Sequence, residues 1–285
     1  MNKPTKAIIL TGSETRHVFF RKALSINPSI EVVKTYCEGE ENSLRTLTHK
    51  EGSNNSLRIR HVQARENSEN DFFSSFCLLC PDESHPFFLP KGDINNINHV
   101  EDIQNHNPDI LVAYGCSIIR EPLLSMFSGR FLNVHLGLSP YYRGSGTNFW
   151  PLVDERPEFV GATFMHINEG VDSGEIIHQI RARIFEGDTP HQIGNRLLCD
   201  VVLVYADIIS KIANLRPMPQ PLSTDSIRYC RRADFSEDSV KKLYQSFEGG
   251  IVDRYLRDRE RRCKSAPIVV HPNVTDVKVL NHSRK

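Results

Sequence analysis

The sequence predicts an α/β fold in which a mostly parallel sheet is flanked by helices, with a small C-terminal helical appendage. Short continuous apolar runs at residues 7–10 and 109–114 are typical of parallel strands that are buried on both faces. The first run is followed by Gly12, a helical stretch and a second apolar run at 30–33, which together form a β-α-β opening. The 285 residues exceed one average domain and fall short of two.

The remaining elements follow from apolar periodicity and from turn residues. The helix predicted to begin at Pro190 has the clearest start signals. Thr189 is its N-cap, Pro190 takes the first helical position and Gln192 completes a capping box. The predicted elements, in chain order, are a helix carrying Phe19, Phe20, Ala23 and Leu24 that ends at Asn27-Pro28, a helix over 57–76, a strand over 109–114, a helix over 121–127, strands over 131–135, 160–167 and 175–185, a helix over 190–215, and a helical stretch over 240–255 that Gly249-Gly250 interrupts.

Composition and charge exclude several classes of protein. Lys and Arg number 35 against 35 Asp and Glu, so a chain-wide field for nucleic acid or a membrane surface is not expected. No apolar run approaches the roughly 20 residues of a membrane span, and the first residues lack the apolar stretch of a signal peptide. The seven scattered cysteines do not indicate a disulfide scaffold. We therefore expect a globular protein of the cytoplasm.

Two local segments need separate interpretation. Residues 38–56 contain only Leu44 and Leu47 as aliphatic residues, which predicts a polar surface insertion. Cys77 and Cys80 have C-x-x-C spacing, but a redox or zinc site needs a helix N-terminus or a second pair of ligands, and neither is evident. Packing among the neighbouring Phe and Leu residues is the favoured role of these two cysteines.

The strand over 131–135 carries the residues that could perform chemistry. Alternation places Asn133 and His135 on one face of the strand, near its carboxyl end, where ligands bind in open parallel sheets. An amide can donate to a developing oxyanion, and an imidazole can exchange a proton near neutral pH. Asp172, in the Gly-rich turn of residues 168–174, could orient that imidazole. Equally, the Asn and His could satisfy loop backbone groups, and Asp172 could serve only its own turn.

Three linked segments surround these residues: N-V-H at 133–135, L-S-P-Y-Y-R-G at 138–144 and G-A-T-F-M-H-I-N-E-G-V-D-S-G-E-I-I at 161–177. Together they closely resemble the formyltransferases that use 10-formyltetrahydrofolate, a family with a Rossmann-like catalytic domain. That family includes glycinamide ribonucleotide, methionyl-tRNA and sugar N-formyltransferases. The resemblance covers residues 110–215 well and the β-α-β opening weakly. It implies a catalytic domain over residues 1–215 and a C-terminal loop and helical extension over 216–285.

The resemblance also implies roles for individual positions. Asn133 is similar to the amide that binds the formyl oxygen, His135 to the proton-transfer residue, and Asp172 to the carboxylate that works with it. The segment that borders the folate pterin ring corresponds to Cys116, Ser117, Ile118 and Ile119, with Gly170 and Asp172 on the opposite side of that pocket. The chain departs from the family pattern at Gly137 and Ser139, where many members have Ser and Leu.

Two further readings concern nucleophiles and metals. The formyl group can pass directly to an amine, so no nucleophilic Ser or Cys is required, and Cys116 is assigned to packing. His166, Glu169, Glu175 and His178 lie near one turn, but they would come from unrelated faces of two strands. We therefore expect no metal site, and the chemistry of the family needs none.

The acceptor remains open among three classes. A methionyl-tRNA enzyme would be expected to carry a further β domain, and net zero charge fits poorly with a polyanion. A glycinamide ribonucleotide enzyme would have no use for the insertion or the C-terminal extension. The chain is most similar to sugar N-formyltransferases, which implies a nucleotide-linked amino sugar. Tyr141, Tyr142, Phe149 and Trp150 are candidates for stacking on it, although core packing is the favoured role for Phe149 and Trp150. A homodimer is compatible with this size, and a non-catalytic folate-binding protein on the same fold is the alternative from another class.

Overall fold

The apolar runs become the central strands of one large sheet. The computed structural model describes residues 3–41, 46, 48, 56–221 and 227–275. Within these residues the strands are β1 (Thr5–Thr11), β2 (Ile30–Glu38), β3 (Pro86–Leu89), β4 (Ile110–Tyr114), β5 (Phe131–His135), β6 (Tyr142–Gly144), β7 (Gly161–His166), β8 (Ile176–Arg181) and β9 (Arg228–Cys230).

Helices connect the strands and cover both faces of the sheet. Within the same residues they are α1 (Thr15–Ser25), α2 (Leu57–Leu79), α3 (Ile97–Asn105), α4 (Leu123–Met126), α5 (Trp150–Val153), α6 (Pro190–Lys211), α7 (Glu237–Glu248) and α8 (Ile251–Ser265), with 3₁₀ turns at Asp93–Asn95, Pro157–Phe159, Ile212–Asn214 and Arg232–Asp234.

The main sheet has the strand order β3-β2-β1-β4-β5-β7-β8. The strands from β3 to β5 are parallel, β7 runs antiparallel to β5, and β8 runs antiparallel to β7. The predicted α/β fold with a mostly parallel sheet is therefore confirmed. The chain leaves β1 toward β2 on one side and returns to β4 on the other, so the carboxyl ends of β1 and β4 border the crevice where open sheets bind ligands.

The alternation of side chains along β5 determines which way its polar residues face. Leu132 and Val134 pack in the core on the α1 and α6 face, whereas Phe131 packs in the core on the α3 face. Because successive residues of a strand point to opposite faces, Asn133 and His135 lie on the α3 face with Phe131. The shared face predicted for these two residues is therefore confirmed.

Several predicted elements are found and others differ. The cap of α6 has the predicted form, because Thr189 and Gln192 bond reciprocally around Pro190. The helix predicted over 121–127 shrinks to Leu123–Met126. The 81–108 region, to which no elements were assigned from sequence, forms β3 and α3.

The prediction of a polar surface insertion over residues 38–56 is wrong at its first residue. Glu38 is the last residue of β2, its side chain is 1% exposed, and it accepts hydrogen bonds from Lys91 Nζ at 3.0 Å and Gly92 N at 2.9 Å. Thr48 is also buried. Positions 42–45, 47 and 49–55 lie outside the described residues. Composition does not distinguish a buried carboxylate from an exposed one. The free-energy cost of burying its charge is offset only by contacts that form in the tertiary structure.

The two cysteines of the C-x-x-C pair lie at the carboxyl end of α2. All seven cysteines are free, and Cys77 packs against the core beside α1, while Leu78 and Leu79 are exposed. Burial raises the pKa of the Cys77 thiol, the opposite of the low pKa that a redox-active cysteine needs.

The C-terminal segment folds back onto the main sheet. Strand β9 pairs in parallel with β6, which lies beside the end of β5. Farther along, Gln179 N in the edge strand β8 donates to Val269 O at 2.7 Å, and Tyr141 Oη donates to Pro267 O at 2.8 Å. The segment thereby covers an edge that would otherwise expose unpaired backbone groups. Throughout the described ranges, no helix combines the length and apolarity that spanning a bilayer requires.

A buried histidine of α2, His61, and a half-buried histidine of α6, His191, predict loss of stability in acid. The rings of His61 and His191 lie 4.7 Å apart, and burial lowers their pKa values to about 3 and about 4 from 6.5. In the unfolded chain both histidines become protonated below about pH 6.5, whereas in the folded chain they become protonated only below about pH 4. Stability should therefore fall as pH drops through this window, by about 1.4 kcal/mol per pH unit for each histidine.

Urea titrations at several pH values would measure this slope. We expect His61→Gln, which leaves a neutral side chain that can still bond the Tyr244 hydroxyl, to flatten the slope between pH 6.5 and 4 relative to the unmodified chain. Equal slopes in the two proteins would contradict this account.

Candidate active site

His135 ends β5 in a closely packed environment between two hydrogen-bond acceptors. Its side chain is 7% exposed, its Nδ1 lies 3.2 Å from Asp172 Oδ1, and its Nε2 lies 3.1 Å from the backbone oxygen of Tyr142. A carboxylate and a carbonyl can only accept, so the ring makes both bonds when both nitrogens carry protons.

Asp172 reaches His135 by an unusual path. Because β7 runs antiparallel to β5, the loop after β7 leaves beside Phe131, at the far end of β5. The loop then folds back along the α3 face and places Asp172 against His135. Its backbone is in the left-handed region, with φ of +51°, which Asp tolerates better than most residues.

Strand β6 holds the carboxylate of Asp172. Oδ2 accepts a hydrogen bond from Gly144 N at 2.9 Å, which leaves Oδ1 directed at His135. The backbone oxygen of Asp172 accepts from Ser139 Oγ at 3.3 Å. The turn that follows β5 thus contacts both members of the pair, through Tyr142 and Ser139 as well as Gly144.

The Asn133 amide remains available beside the imidazole. The side chain is half-buried and lies on the same face as His135. Within the described ranges no protein group hydrogen-bonds to this amide, whereas buried polar groups normally find a partner. Its NH₂ can therefore donate to a ligand atom that sits next to His135.

Gly137 is required by the close approach of two side chains. A Cβ built on it would lie 2.5 Å from His135 Nε2 and 2.7 Å from Thr147 Cβ, both closer than real Cβ contacts allow. The departure from the family pattern at this position therefore leaves room for the imidazole. Ser139 is the second position that departs from the family pattern, and its backbone groups bond within the protein. Its N–H donates to Thr163 Oγ1 at 3.0 Å, and its backbone oxygen accepts from Gln179 Nε2 at 2.7 Å.

The segment expected to border a cofactor follows β4. Ile119 is buried in the core on the α3 face, Ile118 is 67% exposed, and Ser117 N donates to the buried Glu38 carboxylate at 2.5 Å. Burial, together with the nearby Glu38 charge, raises the pKa of the Cys116 thiol to about 12. A thiol that stays protonated at neutral pH is a poor nucleophile, which agrees with a packing role.

The loop over 168–174 lies on the same face as that segment. Ile167, just before the loop, packs in the same core cluster as Ile119. Gly170 is exposed, and its N–H donates to Asn168 Oδ1 at 3.1 Å. An exposed apolar side chain at Ile118 on one side and this loop on the other could hold a flat ring between them.

His17 is a polar residue in the crevice that sequence reasoning missed. A Cβ on Gly12 would lie 2.6 Å from its Nδ1, and one on Gly115 would lie 2.4 Å from its Nε2, so the ring fits between the ends of β1 and β4. Burial lowers its pKa well below the ordinary value, and Nδ1 accepts from Glu14 N at 3.2 Å. The neutral ring therefore carries its proton on Nε2. The only sequence signal was the glycine before α1.

A charged cavity of about 170 Å³ lies between the start of α1 and helix α2. Arg16 bonds Glu69 at 2.9 Å and also pairs with Glu14, the residue at the N-cap of α1. A carboxylate therefore already occupies the amino-terminal end of this helix, where an anion would otherwise be favoured. The cavity is lined by Glu14, Thr15, Arg16, Arg65, Glu66, Glu69 and Asn70.

The aromatic residues proposed for stacking are core residues. Tyr141, Tyr142 and Trp150 are each at most 5% exposed, and Phe149 packs edge-on against Trp150. Tyr142 Oη donates to Asp154 at 3.0 Å. The stacking role was therefore wrong for Tyr141 and Tyr142, and the core packing favoured for Phe149 and Trp150 is confirmed.

The histidines and carboxylates around β7 and β8 do not converge. His178 is buried and its Nδ1 accepts from His271 N at 3.0 Å, while His166 lies near Glu175 with its pKa lowered by burial. In the portions of the chain that the structure describes, no three His, Cys, Asp or Glu side chains are grouped to hold a metal ion.

Fold and site together define an α/β enzyme with an Asn, His and Asp arrangement at the end of a central strand. The sequence matches the formyl transferase family over residues 61–207, which is slightly more than half of its length. The chain belongs to this family, and it is a formyltransferase.

Solved structures share the fold. A phosphoribosylglycinamide formyltransferase from Anaplasma phagocytophilum has a TM-score of 0.53 at 15% identity, covering 80% of this chain and 99% of the other. A sugar N-formyltransferase from Shewanella sp. FDAARGOS_354 has a TM-score of 0.52 at 17% identity, covering 85% and 87%. An N-formyltransferase from Helicobacter canadensis, solved with folinic acid and dTDP-3-aminofucose, has a TM-score of 0.52 at 16% identity, covering 85% and 80%.

Gly137 provides a test of how tightly the imidazole is held. We expect Gly137→Ala to push His135 away from Asp172 and to lower formyl turnover by at least about tenfold, because small misplacements of reacting groups are costly. Gly194 is the matched control: it lies inside α6 with no atom within 4 Å of a built Cβ. Gly194→Ala should stabilise the helix by about 0.5–1 kcal/mol without changing turnover. Equal turnover in the two variants would contradict a tight fit at Gly137.

Proposed function

We propose that this protein transfers a formyl group from 10-formyltetrahydrofolate to a primary amine, most suitably that of a nucleotide-linked amino sugar. The observation that carries the proposal is the contact of 3.2 Å between His135 and Asp172 at the end of β5, beside the amide of Asn133, to which no group among the described residues hydrogen-bonds. Catalytic roles for these three residues are part of the proposal.

The folate co-substrate supplies an activated formyl group on nitrogen. A bond forms between the amine nitrogen and the formyl carbon, the bond from that carbon to the donor nitrogen breaks, and one proton passes from the amine to the departing nitrogen. Asn133 donates to the oxygen that gains negative charge. His135 shuttles the proton, and Asp172 keeps its ring oriented through the contact of 3.2 Å. No covalent enzyme intermediate is needed.

The proposed folate pocket lies between Cys116, Ser117, Ile118 and Ile119 on one side and Gly170 and Asp172 on the other. The exposed Ile118 supports this placement, because an apolar side chain left in solvent beside a polar loop suits a flat ring. Glu38 supports it as well, since its buried carboxylate holds Ser117 N in place without a ligand.

Charge at the start of α1 and over the whole sequence bears on the class of acceptor. Glu14 at the amino terminus of α1 disfavours a phosphate there, which argues against a phosphoribosyl amine. The net charge is zero, which argues against a large polyanion such as tRNA. The Helicobacter canadensis enzyme was solved in complex with dTDP-3-aminofucose, which is a nucleotide-linked amino sugar of the proposed class.

Substitution of the three residues tests the catalytic assignment. His135→Ala should lower turnover by about two to four orders of magnitude, because it removes the proton carrier. Asn133→Ala should lower it by about two to three orders, because it removes an oxyanion donor. Asp172→Asn should also lower it, and the double variant at 135 and 172 should lose little more than His135→Ala, since residues of one unit are not additive.

Steady-state turnover and thermal unfolding should be measured on the same preparations. If the side chains only held a strand end and a turn, melting temperatures would fall while turnover in the cold stayed near normal. A folded His135→Ala protein with more than about a tenth of the unmodified rate would contradict the catalytic role.

A screen of acceptors tests the substrate class. With 10-formyltetrahydrofolate as donor, we expect dTDP- and UDP-linked amino sugars to gain the mass of one formyl group, and glycinamide ribonucleotide and methionyl-tRNA to gain none. Mass spectrometry of each reaction gives the result. Turnover on either of the latter two at moderate salt, with none on amino sugars, would overturn the acceptor class and leave formyl transfer intact.

A further inference from the structure

Gln220 bonds the Asp172 loop from outside the catalytic unit. Its Nε2 donates to the backbone oxygen of Asp172 at 2.8 Å and to that of Gly174 at 2.9 Å. Both hydrogens of one amide are therefore used on two carbonyls that flank Ser173. Gln220 belongs to the C-terminal extension, beyond the residues that match the family.

The loop needs such support because of its path. It folds back over the sheet face to reach His135, and Asp172 has a positive φ. The other bond to the Asp172 backbone oxygen, from Ser139 Oγ, is longer at 3.3 Å. The bonds from Gln220 therefore hold the main chain at the residue whose carboxylate must point at His135.

Gln220 is itself oriented by the strand that contacts the same pair. Its Oε1 accepts from Arg143, and Arg143 stands between Tyr142 and Gly144. Tyr142 O accepts from His135, and Gly144 N donates to Asp172. Since β6 pairs with β9, the C-terminal extension supports His135 and Asp172 at two points, through β9 and through Gln220.

We propose that Gln220 is a positioning residue for formyl transfer, which holds Asp172 in the left-handed turn that aims its carboxylate at His135. The inference rests on the proposed roles of His135 and Asp172. It gives the C-terminal extension a part in the reaction through Gln220, which acts by way of Asp172.

Two substitutions separate the possible roles of Gln220. Gln220→Ala removes every contact, while Gln220→Glu keeps the size and can strengthen the bond to Arg143, but it loses both N–H donors. If the donors matter, both variants should lower kcat by about tenfold to a hundredfold and leave KM for the amine unchanged. If only the bond to Arg143 matters, Gln220→Glu should retain normal kcat, and that result would overturn the proposal.

Gln192→Ala is the matched control. Gln192 also bonds a backbone group with its side chain, accepting from Thr189 N at 2.9 Å, but it caps α6 and does not contact the Asp172 loop. It should lower the melting temperature without lowering kcat. A loss of kcat in Gln192→Ala equal to that in Gln220→Ala would overturn the proposal, because any lost cap would then have the same effect.

The double variant shows whether Gln220 acts through Asp172. Turnover with 10-formyltetrahydrofolate and a dTDP-linked amino sugar should be little lower in Gln220→Ala/Asp172→Asn than in Asp172→Asn alone. Fully multiplicative losses would overturn the proposal.

A spectroscopic measurement keeps this inference separable from the proposed function. In histidine-labelled protein, Gln220→Ala should move the ring nitrogen resonances of His135 in the same direction as Asp172→Asn, and Gln192→Ala should not move them. Unmoved resonances in Gln220→Ala would overturn the positioning role even if turnover fell. If Asp172→Asn retained full turnover while the resonances moved as expected, the catalytic role proposed for Asp172 would fail, formyl transfer would stand, and so would the contact by which Gln220 positions Asp172.

Discussion

The contact between His135 and Asp172 joins two parts of the chain that leave β5 at opposite ends. His135 ends β5, whereas Asp172 comes from a loop that begins beside Phe131 and folds back along one face of the sheet. A loop of this kind cannot reach the imidazole unless its backbone groups are satisfied on the way. The turn after β5 and the C-terminal extension supply such bonds to the backbone oxygens of Asp172 and Gly174, and strand β6 bonds the Asp172 carboxylate. These three parts of the chain together hold the pair in contact.

A second buried carboxylate organises the other side of the crevice. Glu38 ends β2 and binds Lys91, Gly92 and Ser117, which connects the loops after β2 and β3 to the segment after β4. The cost of burying its charge is offset by one cation and two backbone donors. Loops that are connected in this way suit group transfer between two substrates, because the reacting atoms of both substrates must be held in the right orientation.

The C-terminal extension is more than a cover for the edge of the sheet. It pairs with β6 through β9, bonds the Asp172 loop through Gln220 and runs alongside β8 near Val269. The sequence of this segment suggested only a loop and helices. Its importance lies in hydrogen bonds between residues that are distant along the chain, such as Gln220 and Asp172. The spacing of apolar residues in the sequence does not predict such pairs.

By itself, the sequence determined the α/β class, the strand that ends in His135, the shared face of Asn133 and His135, and the cap of α6, because each depends on the period of apolar residues or on a local capping pattern. Only the tertiary structure decided that Glu38 is buried, that Tyr141 and Tyr142 are core residues, that His17 fits between Gly12 and Gly115, and that Gln220 holds Asp172. These features depend on contacts between residues that are distant along the chain. A polar side chain can lie in solvent or be buried with a hydrogen-bond partner, and the sequence alone does not show which partner the fold brings to it.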